Sequence, residues 1–179
     1  MLLHPTTEVS PWPRSSPAAT FDHDGDVVVF LIGMRINTLG KVHKWGPVAL
    51  AMPKMLKELM SRPEKGLLGF QQFVSGRTVL VVQYWRSFEQ LERFARDAND
   101  PHLPAWRAFN QRVGTDGDVG IFHETYTVPA GNTEAIYNNM PVYGLAKATA
   151  SVPVARRGQS AAYRMGRTIT DDPAEPVPA

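Results

Sequence analysis

Four stretches of the chain carry the apolar and β-branched residues that are typical of buried strands. They are Asp26–Asn37, Leu67–Val74, Thr78–Arg86 and Val119–Val128. Two further stretches place their apolar residues three and four positions apart, as one face of a helix does. These are Trp45–Ser61, which Pro53 is expected to bend or interrupt, and Phe88–Gln111, with a predicted break at Asp97–Pro101. The order of elements is therefore βαββαβ.

This order predicts an α+β fold, the ferredoxin-like plait, in which both helices cover one face of an antiparallel sheet. The strands are apolar at nearly every position, as in VVVFLI and VLVVQYW, so we expect both faces of the sheet to be buried. One face packs on the helices, and the other needs a partner sheet. A symmetric homodimer supplies that sheet most simply.

The composition of the chain excludes several kinds of site and partner. The 179 residues contain no cysteine, which excludes disulfides, thiolate nucleophiles and cysteine-bound zinc or iron–sulfur centres. A formal net charge of +2 gives no indication of nucleic-acid binding. No apolar run approaches the roughly 18 residues of a membrane span, and the N-terminus lacks the pattern of a secretory signal. We therefore expect a cytoplasmic protein without nucleic-acid or membrane partners.

The two ends differ from the middle. Residues 1–20 are rich in proline, serine and threonine and are predicted to form an extended arm. Residues 21–150 are predicted to form the ferredoxin-like domain, and residues 151–179 a tail with proline and arginine. The tail arginines are interpreted as solvated: Arg156, Arg157, Arg164 and Arg167. Neither end is expected to carry a catalytic group.

Several motifs together resemble the dimeric α+β-barrel monooxygenase-like family, in the branch similar to the fumagillin-pathway monooxygenase. They are WGPVALAMPKMLKEL, GLLGF, QYWRSFEQLERFARD, PHLPAWRAFN, GIFHETY and EAIYNNMP, within roughly residues 21–150. The resemblance implies a ferredoxin-like domain that dimerises through its sheets, with a pocket between helices and sheet in each subunit. It also implies relatives with varied chemistry: cofactor-independent quinol oxygenases, haem-degrading enzymes and aldoxime dehydratases. In the haem-degrading relatives a histidine late in the second helix binds the iron, and His102 occupies a comparable place.

Two histidines are the candidate catalytic residues. If Leu103–Gln111 is helical, His102 shares a face with Trp106 and Phe109, which are expected to point inward. His123 lies on the last strand, where alternation sends it to the face opposite Phe122. Helix capping remains the alternative for His102, and a structural hydrogen bond the alternative for His123.

Eight residues are candidates for contacting a substrate. The aromatic ones would line an apolar cavity, although core packing is the alternative for each: Trp45, Tyr84, Trp106, Phe122 and Tyr126. The polar ones are Arg35, Asn37 and Glu124. Arg35 and Asn37 end the first strand and are expected near the pocket mouth. Glu124 is expected to pair with Arg35 or to orient a histidine, or else to be an ordinary surface carboxylate.

The sequence contains no P-loop, HExxH or glycine-rich dinucleotide motif, so a flavin or nicotinamide site is not supported. The favoured function is a small monooxygenase that oxidises an aromatic or polyketide-like substrate and requires no cofactor. A protein that binds haem b with His102 as axial ligand is the first alternative. A non-catalytic binder of a small apolar ligand is the second.

Overall fold

The computed structural model describes residues 18–96 and 116–167. In chain order these form β1 (Ala19–Phe21), β2 (Val27–Ile36), α1 (Val42–Met60), β3 (Leu67–Ser75), β4 (Thr78–Trp85), α2 (Phe88–Arg96), β5 (Val119–Val128), α3 (Gly144–Ala148), β6 (Ser151–Pro153) and α4 (Ala161–Arg164). Short 3₁₀ turns lie at Pro63–Lys65 and Val154–Arg156. The predicted continuation of the second helix, with His102 and Trp106, lies outside the described residues.

Residues 23–133 form one compact unit built on a four-stranded sheet. The strand order is β3-β4-β2-β5, and every neighbouring pair is antiparallel. Helix α1 connects β2 to β3, and helix α2 leads from β4 towards β5. Together with the strand order, this is the ferredoxin-like arrangement. The predicted α+β class and the predicted strands are confirmed, and β5 has the predicted limits.

Helix α1 is continuous, so Pro53 does not interrupt it, and the bend that was the other expectation stays a prediction. The helix begins at Val42 and contains both Pro47 and Pro53. Proline at 53 removes the amide that would bond the carbonyl of Ala49. Both Pro53 and Ala49 are exposed, so water can satisfy that carbonyl and the helix tolerates the loss.

The core lies between the two helices and one face of the sheet, which we call the helix face. Its strand positions alternate along β2 and include Val28, Ile32 and Met34, all buried. Leu59 of α1 and Leu91 of α2 pack with Val28 in the same cluster. Trp85, at 0% exposure, belongs to that cluster. Each such aliphatic side chain contributes about 1.5–3 kcal/mol by its removal from water.

The opposite side of the sheet, which we call the open face, is apolar but only partly covered. Leu31, Val82 and Tyr84 are half-buried, and Phe73 and Tyr126 are exposed. The described residues of both helices pack on the other side. In a single chain the helix face of the sheet is therefore buried and the open face is buried only in part. The homodimer that would cover the open face stays a prediction.

Residues 18–22 and 134–167 belong to a second compact unit. Strands β1 and β6 pair antiparallel, with Thr20 and Val154 buried. Arg164 is not the solvated side chain that the sequence indicated: its side chain is only 7% exposed and pairs with Glu134. Its guanidinium also donates to the carbonyls of Gly158 and Gln159. The predicted limits of the arm, domain and tail stay a prediction.

No helix in the described parts of the chain is long and apolar enough to cross a membrane.

Candidate functional site

His123 lies on the helix face of β5. It stands opposite Ile32 in the register, and its ring centroid lies 5.9 Å from that of Phe30. The alternation predicted for this strand is confirmed, because Phe122 stands opposite Gly33 on the open face. His123 is exposed although it shares a sheet face with the core.

The chemical character of β5 changes along its helix face. Val119 is buried and packs with Ile121 in a cluster with Met34. The next positions on that face are His123, Thr125 and Thr127, and all three are exposed. This half of β5 therefore presents polar groups beside an apolar core, an arrangement that suits a ligand with an aromatic body and a polar edge. How His102 and Trp106 lie relative to His123 stays a prediction.

The sequence analysis missed Gln83, a buried polar residue on the helix face. Its side chain is 2% exposed, and its Oε1 accepts a hydrogen bond of 2.8 Å from Nε1 of Trp85. In the register it stands opposite Phe30, the ring that contacts His123. A signal was present, since Val79, Val81 and Trp85 occupy the same face and make Gln83 the one polar member of that row.

Trp45 and Asn37, both predicted to contact substrate, hold the connection between β2 and α1 in place. The Trp45 indole nitrogen donates to the Leu39 carbonyl at 3.0 Å, and its ring packs on the cluster that contains Met34. The Asn37 side chain donates to the Gly117 carbonyl at 2.8 Å. Both hydrogen bonds join the β2–α1 connection to backbone carbonyls, which is a structural role.

A group of charges fixes the same region. Asp118 is 6% exposed, and one of its oxygens lies 2.7 Å from Nζ of Lys41 and 2.7 Å from Nζ of Lys44. Lys44 also pairs with Asp116. Hydrogen bonds from the two lysines hold the pKa of the Asp118 carboxyl well below its usual range, and Asp116 raises the pKa of Lys44. These charges neutralise one another and join the start of α1 to the start of β5.

The remaining described candidates lie on the open face. Tyr84 and Tyr126 flank Val29 in the register, and Glu124 stands beside Leu31. The Tyr126 hydroxyl donates to Oε2 of Glu124 at 2.5 Å, and this bond raises the pKa of Tyr126.

Among the described residues Glu124 is paired with Tyr126 and with neither Arg35 nor His123, whereas a pairing with His102 lies outside the described residues. Arg35 lies four residues along β2 from Leu31, the neighbour of Glu124, a separation of roughly 13 Å. Its guanidinium is instead near the Thr78 hydroxyl, at 3.5 Å. His123 points to the other side of the sheet, beyond reach of Glu124.

The described candidates therefore do not form one cavity within a chain, because the sheet separates them. His123 lies on the helix face, where Trp45 also packs, and Asn37 lies just beyond the end of β2. The open face carries the other five described candidates: Arg35, Tyr84, Phe122, Glu124 and Tyr126. In residues 18–96 and 116–167 no group of three or more histidine, aspartate or glutamate side chains is placed to hold a metal ion.

Comparison with known proteins identifies the family. Residues 27–145 match the Monooxygenase af470-like family, and the chain belongs to it. The predicted membership is confirmed. The family takes its name from a monooxygenase, which is an oxidoreductase.

A curated relative, monooxygenase af470 of Aspergillus fumigatus, is 30% identical over an alignment of 128 residues, and the match covers 64% of this chain and 43% of the relative. The chain thus spans less than half the length of that protein.

Solved structures with similar folds have low identity to this chain. A monooxygenase of Streptomyces coelicolor, from ActVA-Orf6 and in complex with nanaomycin D, is 19% identical, with a TM-score of 0.37 over 57% of this chain and 87% of that one. Rv0793 of Mycobacterium tuberculosis is 16% identical, with a TM-score of 0.40 over 55% and 92%. The haem degrader MhuD of the same organism is 23% identical, with a TM-score of 0.27 over 56% and 94%.

Proposed function

We propose that this chain is a small monooxygenase that oxidises an electron-rich hydroxyaromatic or polyketide-like substrate. The observation that carries the proposal is the family match over residues 27–145, which includes all four strands of the large sheet and both helices. The exposed imidazole of His123 beside the Phe30 ring supports a site on the helix face.

The proposed reaction begins with removal of the substrate's phenolic or enolic proton by an imidazole. Histidine suits this role because its ordinary pKa lies close to neutral pH. The resulting anion gives one electron to O₂, and the substrate radical and superoxide recombine at carbon to form a hydroperoxide. Loss of water then leaves a carbonyl group on the ring. One oxygen atom enters the product and the other becomes water, and all four electrons come from the substrate.

Because the substrate supplies all four electrons, the reaction requires no flavin, nicotinamide or metal ion, and we propose that none takes part. His123 is the described candidate for the base, and His102 is the second candidate. Phe30 would face the substrate ring, because an aromatic edge or face contact positions a planar ligand.

Oxygen uptake with a set of naphthols and anthrones, without added cofactor, tests the proposal. We expect uptake by the full chain and a loss of roughly a hundredfold or more when the base is replaced. His123→Ala and His102→Ala are compared with His43→Ala, which changes an exposed histidine of α1. If both of the first variants keep full activity, the histidine mechanism is wrong. If the wild-type chain consumes no oxygen with any substrate but binds one, the protein is a binder.

A further inference from the structure

Helix α1 carries apolar side chains on its outward side as well as on the side that packs on the sheet. The buried ones on the sheet side are Val48, Leu56 and Leu59. On the outward side, Val42, Leu50 and Met60 are 55%, 68% and 51% exposed. A helix that is apolar on both sides is normally covered on both sides. The outward side of α1 therefore needs a partner that the described residues do not supply.

The exposed apolar residues form a continuous stripe along the helix, which we call the outer stripe. With about 3.6 residues per turn, Val42, Ala49, Pro53 and Met60 follow one line, and Leu50 lies beside it. All five are exposed. At about 1.5 Å per residue the stripe is roughly 27 Å long. A stripe of this length on a convex helix fits an extended, flat surface better than it fits a small ligand.

The exposed charges of α1 are all positive. Lys54 follows Leu50 by four positions and Lys57 follows Pro53 by four, so each lysine lies beside a member of the outer stripe. Both lysines are exposed, and neither has an ion pair in the described parts of the chain. The one acidic residue of the helix, Glu58, is half-buried and already lies close to bases of its own chain. A partner with negative charge is therefore complementary to this side of the helix.

We propose that the outward side of α1 binds an anionic lipid surface, with the outer stripe among the headgroups and with Lys54 and Lys57 against their negative charges. Helices with an apolar stripe and lysines beside it lie in the membrane interface without spanning the bilayer. The carbon chain of a lysine can stay among apolar groups while its ammonium group reaches a headgroup. The expectation of no membrane partner rested on the absence of a spanning segment and of a secretory signal. A helix that lies on a lipid surface needs neither, and this inference is independent of the proposed reaction.

Sedimentation of the full chain with lipid vesicles tests the charge complementarity. We expect binding to phosphatidylcholine vesicles that contain roughly one third phosphatidylserine, and weaker binding to phosphatidylcholine alone or at high salt. Lys54→Gln combined with Lys57→Gln should lower the affinity by roughly thirtyfold, because each lysine near an anionic surface contributes a factor of about five. Arg86→Gln combined with Lys147→Gln removes two exposed cations elsewhere and should remain close to wild type.

The apolar contact is tested at Leu50. Leu50→Gln should weaken binding to the anionic vesicles by roughly tenfold or more. The chain contains no cysteine, so Leu50→Cys provides a single site for an environment-sensitive fluorophore. We expect its emission to shift to shorter wavelength when anionic vesicles are added. Val74→Cys is the matched control, because Val74 is 69% exposed but lies on β3, and its label should not respond. Far-ultraviolet circular dichroism shows whether each variant keeps its fold.

Three results would overturn the inference. The first is a wild-type chain that does not bind the anionic vesicles. The second is binding that stays unchanged in the double lysine variant or in Leu50→Gln. The third is an equal response of the labels at positions 50 and 74. A chain that binds polyglutamate but no vesicle also contradicts the inference, and it identifies an acidic protein surface as the partner of α1.

Discussion

Gly33 lies under the ring of Phe122 and offers a sharp test of how the open face is packed. A Cβ atom built at Gly33 would lie 2.5 Å from Cε1 and Cζ of Phe122 and 2.8 Å from the carbonyl oxygen of Val79. The ring can move, because Phe122 is 37% exposed. The carbonyl belongs to the neighbouring strand and can move only with its backbone.

Gly33→Ala should therefore destabilise the protein as an overpacked site does, by about 1–3 kcal/mol. For a chain of this size the corresponding fall in Tm is roughly 2–4 °C for each kcal/mol. Urea unfolding followed by far-ultraviolet circular dichroism measures the effect. The denaturant m-value should be the same in both proteins, so that the lower midpoint reports a lower free energy of unfolding. Combining Gly33→Ala with Phe122→Ala should recover part of the loss, since the ring clash is removed and the Val79 contact stays.

Gly120→Ala is the matched control. Its Cβ would lie 3.7 Å from the nearest atoms, on Arg35 and Asn37, which is an ordinary contact distance. In a strand this change should be neutral or stabilise by about 0.4–1 kcal/mol, through the lower entropy of the unfolded chain. If Gly33→Ala is as stable as Gly120→Ala, Phe122 does not lie over Gly33 and the described packing of the open face is wrong.

Three further predictions concern assembly, acid stability and the haem alternative. Light scattering at micromolar concentration should show a homodimer, because the open face is apolar. Leu31→Lys on that face should yield a folded monomer, whereas Leu50→Lys, at an exposed position of α1, should leave the dimer intact. A monomeric wild type would disprove the dimer. The folded-state pKa of Asp118 is lowered, so its stabilisation is fully present above its unfolded pKa of about 3.9 and is lost as pH falls from that value towards the lower folded-state pKa. Urea unfolding from about pH 6 to about pH 2 should show this decline, and Asp118→Asn should flatten it; an unchanged slope argues against the lysine contacts. Protein expressed with haem supply should show no Soret band, and a band that His102→Ala abolishes would establish the haem alternative.

The sequence predicted the strands and their order well because each is a run of β-branched and aromatic residues bounded by turn residues. Val119–Val128 shows this clearly, since its predicted and observed limits agree. Whether Pro53 interrupts its helix could not be predicted, because that depends on whether water or another group can satisfy the freed Ala49 carbonyl. The ion pair of Lys44 with Asp118 joins residues 74 positions apart, and no local pattern indicates it.

The candidate site was only partly predictable for a related reason. Alternation tells which residues of one strand share a face, and it placed His123 opposite Phe122 correctly. It does not tell which face of one strand matches which face of the next. Tyr84 and Tyr126 were therefore grouped with Trp45, although the sheet lies between them. Gln83 was overlooked because it lies within a run that is otherwise apolar or aromatic.

The central claim is that the chain transfers one atom of O₂ to a hydroxyaromatic substrate without a resident cofactor. Mass spectrometry of the product formed under ¹⁸O₂, by protein dialysed against a chelator and supplied with no cofactor, tests it most directly. The account predicts a product that carries one ¹⁸O atom, with the second recovered in water, and a loss of this labelling in the variant that lacks the base. Label that is absent from the product, or that enters it only after haem, flavin or a metal is added, would contradict the account.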